Sequence, residues 1–336
     1  MMKQQRGVAL IVVLMLLALM TLLAAQMSER LQLNFYRVEN QVQNQQAYWY
    51  ALGMEELAKV AVDQSLKDSD TVNLSQVWAT RGQHYPLDGG EALGNIFDRQ
   101  ACFNLNALSE LPLPDDRSQK PFLVRTLQSV LEESGIDSYE AEVVADSSWE
   151  YVDPAEPVNA PFGAGDSTYE GFQPPYLPPM GWMADVSEFR AVNGVSAQIY
   201  QKAQALLCAL PSRDLVINVN TLEEAQAALL VGLFAPELPM SDAATLISNR
   251  PYDGWQTVDA FMGESAISRL SSDAQKRAKE HLAVSSNYFQ LDTEIWVDRS
   301  RVRLVALMKR EGQDKVTVVR RRYGGISERV SDDKAQ

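Results

Sequence analysis

The sequence predicts an α+β protein in which a long N-terminal helix packs on an antiparallel sheet, with a large helical domain inserted between strands. Residues 8–27 carry no charge, and helical periodicity continues from there to about residue 66. Strand-like segments at 288–297, 302–309 and 316–323 follow one another with short turns between them, and a further extended region lies at 83–105. Because the residues between these regions read as helices, the strands are expected to be separated in sequence and joined in space.

Length and charge restrict the class of protein. A chain of 336 residues can form two or three compact units with a sizeable core. Its 44 acidic residues outnumber the 30 basic ones and give a net charge of -14. Nucleic-acid binding depends on clustered Lys and Arg, so nucleic acid is not an expected partner.

The N-terminal apolar run is long enough to cross a membrane. Its 20 residues, 8–27, match the length that a helix needs to span a hydrocarbon core. Lys3 and Arg6 precede it, which predicts a cytoplasmic leader and an exported body. A cleaved signal peptide with its site near Leu23–Ala25 is one alternative, and a simple signal-anchor is another. The length of the run, with no proline before Pro86, favours a retained helix.

Apolar residues continue beyond this run at steps of three and four within a Gln- and Asn-rich background. They are Leu31, Phe35, Val38, Val42, Trp49 and Leu52. The pattern predicts one helix about 80 Å long, whose first half projects and whose second half packs, with Tyr48 and Trp49 in the core. A coiled-coil stalk is the alternative, but the stripe is short and lacks sustained charged flanking positions.

The chain is predicted to divide into six segments. They are a leader at 1–7, a membrane-spanning part at 8–27, the rest of the helix and the first strands at 28–105, a helical domain at 106–283, C-terminal strands at 284–325 and a flexible tail at 326–336. Helices within the helical domain are expected at 121–134, after Asp137, and at 196–208, 221–231, 241–249 and 271–281. Four arginines are expected on the solvated face of the sheet: Arg301, Arg303, Arg320 and Arg322.

The chain contains an internal repeat, which begins just before the helical domain. Phe103–Leu108 resembles Ile217–Leu222, since both carry Asn-x-Asn, and Val186–Phe189 resembles Val258–Phe261. We interpret the domain as two related units that meet near residue 212, of the helix-hairpin-helix or sterile-alpha-motif kind. Such units bind DNA in other proteins, but the acidic balance and the lack of a glycine-rich hairpin favour a structural role here.

The chain has two cysteines, Cys102 and Cys208. Export would place them in an oxidising compartment, where a disulfide persists. This favours a disulfide between them over two separate buried thiols.

Few residues could carry catalysis. His84 and His281 are the only histidines, and neither has a second histidine at metal-ligand spacing. Gly263 and Ser265 match the opening of a nucleophile elbow, but its second glycine is missing, so Ser265 is interpreted as a helix start. The chain is therefore predicted not to be an enzyme; a secreted hydrolase with a dispersed site is the alternative.

The placing of Gly7 between a basic leader and the apolar run resembles the N-terminal signal of type IV pilins and pseudopilins. The resemblance implies that prepilin peptidase cleaves between Gly7 and Val8 and that Val8 is then N-methylated. Most filament-forming members have glutamate at the fifth mature position, where this chain has Val12. A carboxylate inside a membrane needs a partner on a neighbouring subunit, so its absence predicts a subunit with no neighbour ahead of it, at a filament tip.

Together with the interrupted sheet and the two Asn-x-Asn segments, this N-terminus makes the whole chain resemble the minor pseudopilin K family of type II secretion systems. The resemblance implies a pilin-like fold, a single-pass inner-membrane location with a periplasmic body, and a complex with the I and J minor pseudopilins. It also implies a role in starting or limiting the pseudopilus during export of folded proteins. A signal-anchored periplasmic binding module unrelated to pili is the alternative.

An acidic, proline-rich loop spans residues 146–180. Carboxylates on irregular backbone are the oxygen ligands that calcium takes, and a solvated acidic loop is the alternative. Glu150–Pro157 is similar to a stretch through which pseudopilin K proteins bind calcium. The resemblance implies three calcium ligands: Asp153, Glu156 and Asp166. Gly165 stands where the family usually has glutamate, so a site for two ions is expected to be reduced to one, or lost.

Overall fold

The computed structural model describes residues 6–67, 69–113, 119–154, 160–312 and 315–324. The ten α-helices among these residues are α1 (Arg6–Leu66), α2 (Phe122–Glu133), α3 (Ser138–Val152), α4 (Asp166–Glu170), α5 (Ala197–Ala203), α6 (Ala227–Phe234), α7 (Met240–Ser248), α8 (Val258–Met262), α9 (Ser265–Ser268) and α10 (Ser272–Lys279). The nine strands are β1 (Gln83–Leu87), β2 (Gly90–Asp98), β3 (Phe103–Asn104), β4 (Leu207–Cys208), β5 (Ile217–Asn218), β6 (Leu282–Ala283), β7 (Tyr288–Val297), β8 (Ser300–Arg310) and β9 (Val316–Tyr323). The predicted tail at 326–336 lies outside the described residues.

The predicted long N-terminal helix is α1, a single helix of 61 residues. Its second half buries one face against the sheet, at residues that recur at steps of three and four. These buried residues are Ala47, Ala51, Met54, Ala58, Val62 and Leu66. Three of them are alanines, whose small side chains let the helix backbone approach the strands closely.

The expectation that Tyr48 and Trp49 lie in the core was wrong, since Tyr48 is 40% and Trp49 67% exposed. Leu31, Phe35, Val38 and Val42 are exposed on the projecting part of the helix. The helix turns its alanine-bearing face to the sheet instead, because small residues allow closer packing there than Trp49 would. The larger apolar residues are left on the outer surface of the helix.

The sheet has the order β1-β2-β7-β8-β9, and all of its neighbouring strands are antiparallel. The predicted C-terminal meander is confirmed as β7, β8 and β9. Strand β2 pairs with β7, with Ala92 opposite Ile295, although the whole helical domain lies between them in the chain. The prediction of strands joined in space across a helical insertion is therefore confirmed.

Helices α2 to α10 form a helical domain around one continuous hydrophobic core. A close approach of α2 and α6 contributes to it, since a Cβ atom added to Gly232 would lie 2.5 Å from Cγ2 of Val130. Two helix predictions were wrong in extent. The helix expected at 196–208 ends at Ala203, because the chain then extends into β4, and the helix expected at 221–231 begins only at Ala227, after a hydrogen-bonded turn.

The sequence repeat corresponds to a repeat in structure. Strand β3 pairs in parallel with β4, and β5 pairs in parallel with β6. In each unit the side chain of the second Asn forms two hydrogen bonds with the backbone of one distant residue. Asn106 accepts from the N–H of Met183 at 2.8 Å and donates to the carbonyl of Met183 at 3.0 Å. Asn220 does the same to Trp255, at 2.8 and 2.9 Å. Met183 lies three residues before Val186–Phe189, and Trp255 lies three residues before the similar segment Val258–Phe261. The two units therefore share the same pattern of hydrogen bonds.

Candidate assembly interface

The first half of α1 is an unpartnered apolar surface. Among the described residues, α1 is the one helix whose length and composition allow it to cross a membrane. No part of its most apolar stretch is buried in the chain. Val12 is 50% exposed there, and the first charge after Arg6 is Glu29. Contiguous apolar surface of this size is stable only against lipid or other apolar helices. The geometry therefore supports a helix that inserts into a membrane or packs into an assembly.

Polar contacts hold α1 to the body at the point where it leaves the sheet. Gln43 Nε2 donates to Asp298 Oδ2 at 2.7 Å, in the turn between β7 and β8. Gln46 Nε2 and Tyr50 Oη both donate to the Asp88 carbonyl at 3.1 Å, in the turn between β1 and β2. These bonds restrain the direction in which the exposed half projects.

An ion pair between α1 and β9 was not anticipated from the sequence. Glu55 is 1% exposed and accepts two hydrogen bonds from Arg321, at 2.6 and 2.7 Å. Nearby, the rings of Tyr48 and Tyr323 lie 5.3 Å apart. A glutamate within an alanine-bearing helical face was the available signal, since a buried carboxylate needs a partner.

A disulfide joins Cys102 and Cys208 in the structure, the pairing expected from the sequence. Both cysteines are buried in a small cluster with Leu210, Tyr288 and Leu307. This cluster connects the helical domain to β7 and β8. The disulfide therefore lies at the junction of the two parts of the body.

A second junction is built around Asn218, which is fully buried. Its amide nitrogen donates to the Val72 carbonyl, to Asp98 Oδ2 and to Ser286 Oγ, at 3.0, 3.0 and 2.8 Å. Its side-chain oxygen accepts the N–H of Asn220 at 3.0 Å. One side chain thus connects the segment after α1, the end of β2 and the segment before β7.

The residues considered for catalysis have structural surroundings. His84 lies on edge strand β1 with Nδ1 3.5 Å from Glu91 Oε2. His281 lies in the helical domain, stacked on Phe122 and with Nδ1 3.1 Å from the Leu215 carbonyl. Ser265 begins α9, as the sequence indicated.

Two of the three predicted calcium ligands, Asp153 and Asp166, lie at helix ends. The described residues contain no group of three or more His, Cys, Asp or Glu side chains that could hold a metal ion, and Glu156 lies outside them. Asp153 is buried at the end of α3. Asp166 begins α4, and its Oδ1 is buried with no hydrogen-bond partner among the described residues.

Two other carboxylates of this region have protein partners. Glu150 Oε1 accepts the N–H of Ala160 at 2.8 Å, which joins the end of α3 to the far side of the loop. Lys120 Nζ lies 2.8 Å from Asp146 Oδ1 and 2.7 Å from Glu142 Oε1. Burial raises the pKa of Asp146, and the hydrogen bond and charge of Lys120 oppose that rise.

Comparisons with known proteins agree with this architecture. Family models described as type II secretion system (T2SS), protein K match residues 101–212 and 217–285. Type II secretion system protein K from Aeromonas hydrophila is 37% identical over 329 residues, with 96% of this chain and 98% of the relative covered. The protein of the same name from Klebsiella pneumoniae is 35% identical over 323 residues, covering 96% and 97%.

A solved structure is similar over most of the chain. It is a chain of the GspK-GspI-GspJ complex from the enterotoxigenic Escherichia coli type 2 secretion system, with a TM-score of 0.80 and 35% identity. The likeness covers 86% of this chain and 99% of that one. With its exposed apolar helix, interrupted sheet and repeated helical units, the chain belongs to the type II secretion system protein K family.

Proposed function

We propose that this chain is a minor pseudopilin of a type II protein secretion system. It is anchored in the inner membrane by the first half of α1, and its globular body lies in the periplasm. The observation that carries the proposal is the exposed apolar half of α1, which is continuous with a helix packed on the body and restrained at the point where it leaves the sheet. A helix of this kind serves packing between subunits, as a filament requires.

The proposed partners are the I and J minor pseudopilins. The support is the likeness to a chain solved in a complex with GspI and GspJ, together with the apolar surface of α1 that is free to pack against other helices. Two features favour a position at the pseudopilus tip. Val12 replaces the glutamate that most filament subunits carry, and the helical domain adds bulk that stacked subunits would have to accommodate. At the tip the chain would help to initiate or limit the filament during export of folded proteins.

Cleavage by prepilin peptidase between Gly7 and Val8, followed by N-methylation of Val8, is the testable core of this proposal. The mature N-terminus of the full chain, purified from membranes of a bacterium with a type II system, is expected to be Val8 with one added methyl group, as found by mass spectrometry. Gly7→Arg is expected to retain the leader, because the bulky side chain blocks the cleavage position.

Gly53→Ala is a matched control within the same helix, since no atom other than those of the adjoining helix backbone and chain neighbours lies within 4 Å of the Cβ that it adds. It is expected to be processed normally. An intact Met1, or a start at Gln26, in the unaltered chain would instead favour a signal-anchored binding module or a cleaved secretory protein.

Calcium binding is a separate proposal for the acidic loop. Asp153, Glu156 and Asp166 offer the oxygen ligands that calcium takes, and the buried Asp166 Oδ1 has no other hydrogen-bond partner among the described residues. EGTA is expected to lower the melting temperature of the full chain by several degrees, because a ligand bound only by the native state stabilises it.

Asp166→Asn is expected to abolish this response to EGTA. Glu170→Gln changes an exposed carboxylate of the same short helix and is expected to leave the response unchanged. If EGTA leaves the melting temperature of the original chain unaltered, calcium binding is refuted. The proposed role in secretion is not contradicted by that result.

A further inference from the structure

A cleft of about 150 Å³ lies between the outer face of the sheet and the helical domain. Gln290, Leu307, Arg320 and Arg322 line it from β7, β8 and β9. Arg99, Asp185 and Tyr200 are among the residues that line it from the other side. We call it the junction cleft and define it by four charged residues: Arg99, Asp185, Arg320 and Arg322.

The expectation that Arg320 and Arg322 face bulk solvent was wrong, because the helical domain covers this part of the sheet. Arg320 Nη2 lies 3.2 Å from Asp185 Oδ2, and Arg322 Nη1 lies 3.2 Å from Asp185 Oδ1. Burial raises the pKa of Asp185, but hydrogen bonds from Ser187 and the attraction of the two arginines outweigh it and leave the pKa below its usual value. Asp185 therefore stays ionised at neutral pH and balances one of these two positive charges.

Arg99 adds a third guanidinium. Its Nη2 donates to the Leu207 carbonyl at 3.3 Å, and no carboxylate of the described residues lies within ion-pair distance of it. Burial lowers the pKa of Arg99 and repulsion from Arg320 lowers it further, while attraction by Asp185 and Asp98 opposes the fall. An arginine nevertheless keeps its charge near neutral pH, so the cleft holds three positive charges and one negative charge among the residues that line it.

Two further acidic residues near the cleft, Glu188 and Asp98, accept hydrogen bonds from groups other than the arginines of the cleft. Glu188 attracts Arg320, but its Oε1 accepts the N–H groups of Ala184 and Asp185, at 2.8 and 3.3 Å. The carboxylate of Asp98 is held by Asn218, Thr221 and Ser286. On the same side, the guanidinium of Arg190 lies over the ring of Tyr200, at 5.1 Å from its centre, and adds another positive charge. When these neighbours are included, four positive charges stand against three negative ones, so the surplus falls to one positive charge.

We propose that the junction cleft binds a small oxyanion, a phosphate or a carboxylate, held by the guanidinium groups of Arg99, Arg320 and Arg322. A planar guanidinium presents paired N–H donors that match the oxygens of such anions. The cleft volume corresponds to about five water molecules, which is room for an ion of this size. A bound anion joins Arg320 and Arg322 of β9 to Arg99, which donates to the Leu207 carbonyl in the helical domain. It thereby stabilises the position of the helical domain on the sheet.

The test is thermal unfolding of the full chain in detergent with inorganic phosphate, with acetate, and with sodium chloride at matched ionic strength. We expect a saturable rise of several degrees in the melting temperature with at least one oxyanion and a smaller, unsaturable change with chloride. A response to phosphate alone identifies a phosphate site, and a response to acetate identifies a carboxylate site. An equal response to all three salts would overturn the proposal.

Arg320→Gln removes one guanidinium and is expected to weaken the oxyanion response at least tenfold in apparent affinity. Arg303→Gln is the matched control: Arg303 lies on the same face of the sheet but pairs with Asp292, at 2.6 Å, outside the cleft, and its response is expected to equal that of the original chain. Should Arg320→Gln fail to fold, Arg320→Lys retains the charge beside Asp185 but loses the paired donors, and it is also expected to bind more weakly. Unchanged affinity in the folded Arg320 variant would refute the proposal.

Discussion

Replacing Cys102 and Cys208 together with alanine is expected to lower the free energy of unfolding by about 4 kcal/mol. The disulfide closes a loop between residues 106 apart in sequence, so its removal gives the unfolded chain much more conformational freedom. Alanine suits the site because the side chains of its neighbours Leu210, Tyr288 and Leu307 are apolar or aromatic, and a methyl group adds no polar atom among them.

Urea unfolding of the full chain in detergent measures the effect. The unfolding midpoint is expected to fall in the double variant, and reduction of the original chain is the control, since it breaks the same bond without altering side-chain volume. Both should move the midpoint in the same direction and by a similar amount. A double variant as stable as the oxidised original chain would contradict this role of the disulfide.

Replacing Asn218 with alanine is expected to cost about 3 kcal/mol. The side chain is fully buried, and its loss leaves the Val72 carbonyl, Asp98 and Ser286 short of a donor. Buried polar groups without partners are expensive because water cannot reach them. The destabilisation should extend to the sheet as well as to the helical domain, since Asn218 connects both.

The effect of Asn218→Ala is also expected to depend on pH. Burial raises the pKa of Asp98, and hydrogen bonds from Ser286, Thr221, Gln100 and Asn218 oppose the rise. Without Asn218 the folded-state pKa rises further above its unfolded value. A carboxyl of this kind favours folding below its unfolded pKa of about 4 and loses that contribution as pH rises through the folded value. The deficit relative to the original chain should therefore be larger at pH 7 than at pH 4.

Asn104→Ala is the matched control for this pH dependence. Asn104 is the equivalent residue of the first repeat, and its amide donates to the backbone carbonyls of Ser212 and Asp214, at 2.8 and 3.2 Å, with no carboxylate involved. Its replacement should destabilise the chain by a similar amount at both pH values. Equal pH dependence in the two variants, measured by urea unfolding, would contradict the assignment to Asp98.

Several elements follow from local pattern. Alternating apolar residues and short turns predicted β7 and β9 with the ends that the structure gives them, and helical periodicity predicted α1 to Leu66. The Asn-x-Asn repeat predicted two related units, because the same short hydrogen-bonding segment begins each of them. These signals are readable because each depends on neighbours within a few residues along the chain.

Other features depend on which distant segments come into contact. The burial of the alanine-bearing face of α1, the pairing of Glu55 with Arg321, and the position of Arg320 in a covered cleft could not be read from residue spacing. Each is decided by the distance of approach between elements, or by a partner more than a hundred residues away. Neither the distance of approach nor the distant partner produces a periodic pattern in the sequence.

By itself, the sequence determined the apolar N-terminal helix, the Gly7 and Val12 positions within it, the strand meander and the repeated helical units. These properties are local, since periodicity, charge and turn residues act over one element at a time. Only the tertiary structure decided which face of α1 remains exposed for assembly and how the helical domain is fastened to the sheet. The reason is physical: burial and pairing of charged groups depend on which surfaces meet, and the meeting of β2 with β7 brings those surfaces together across the whole inserted domain.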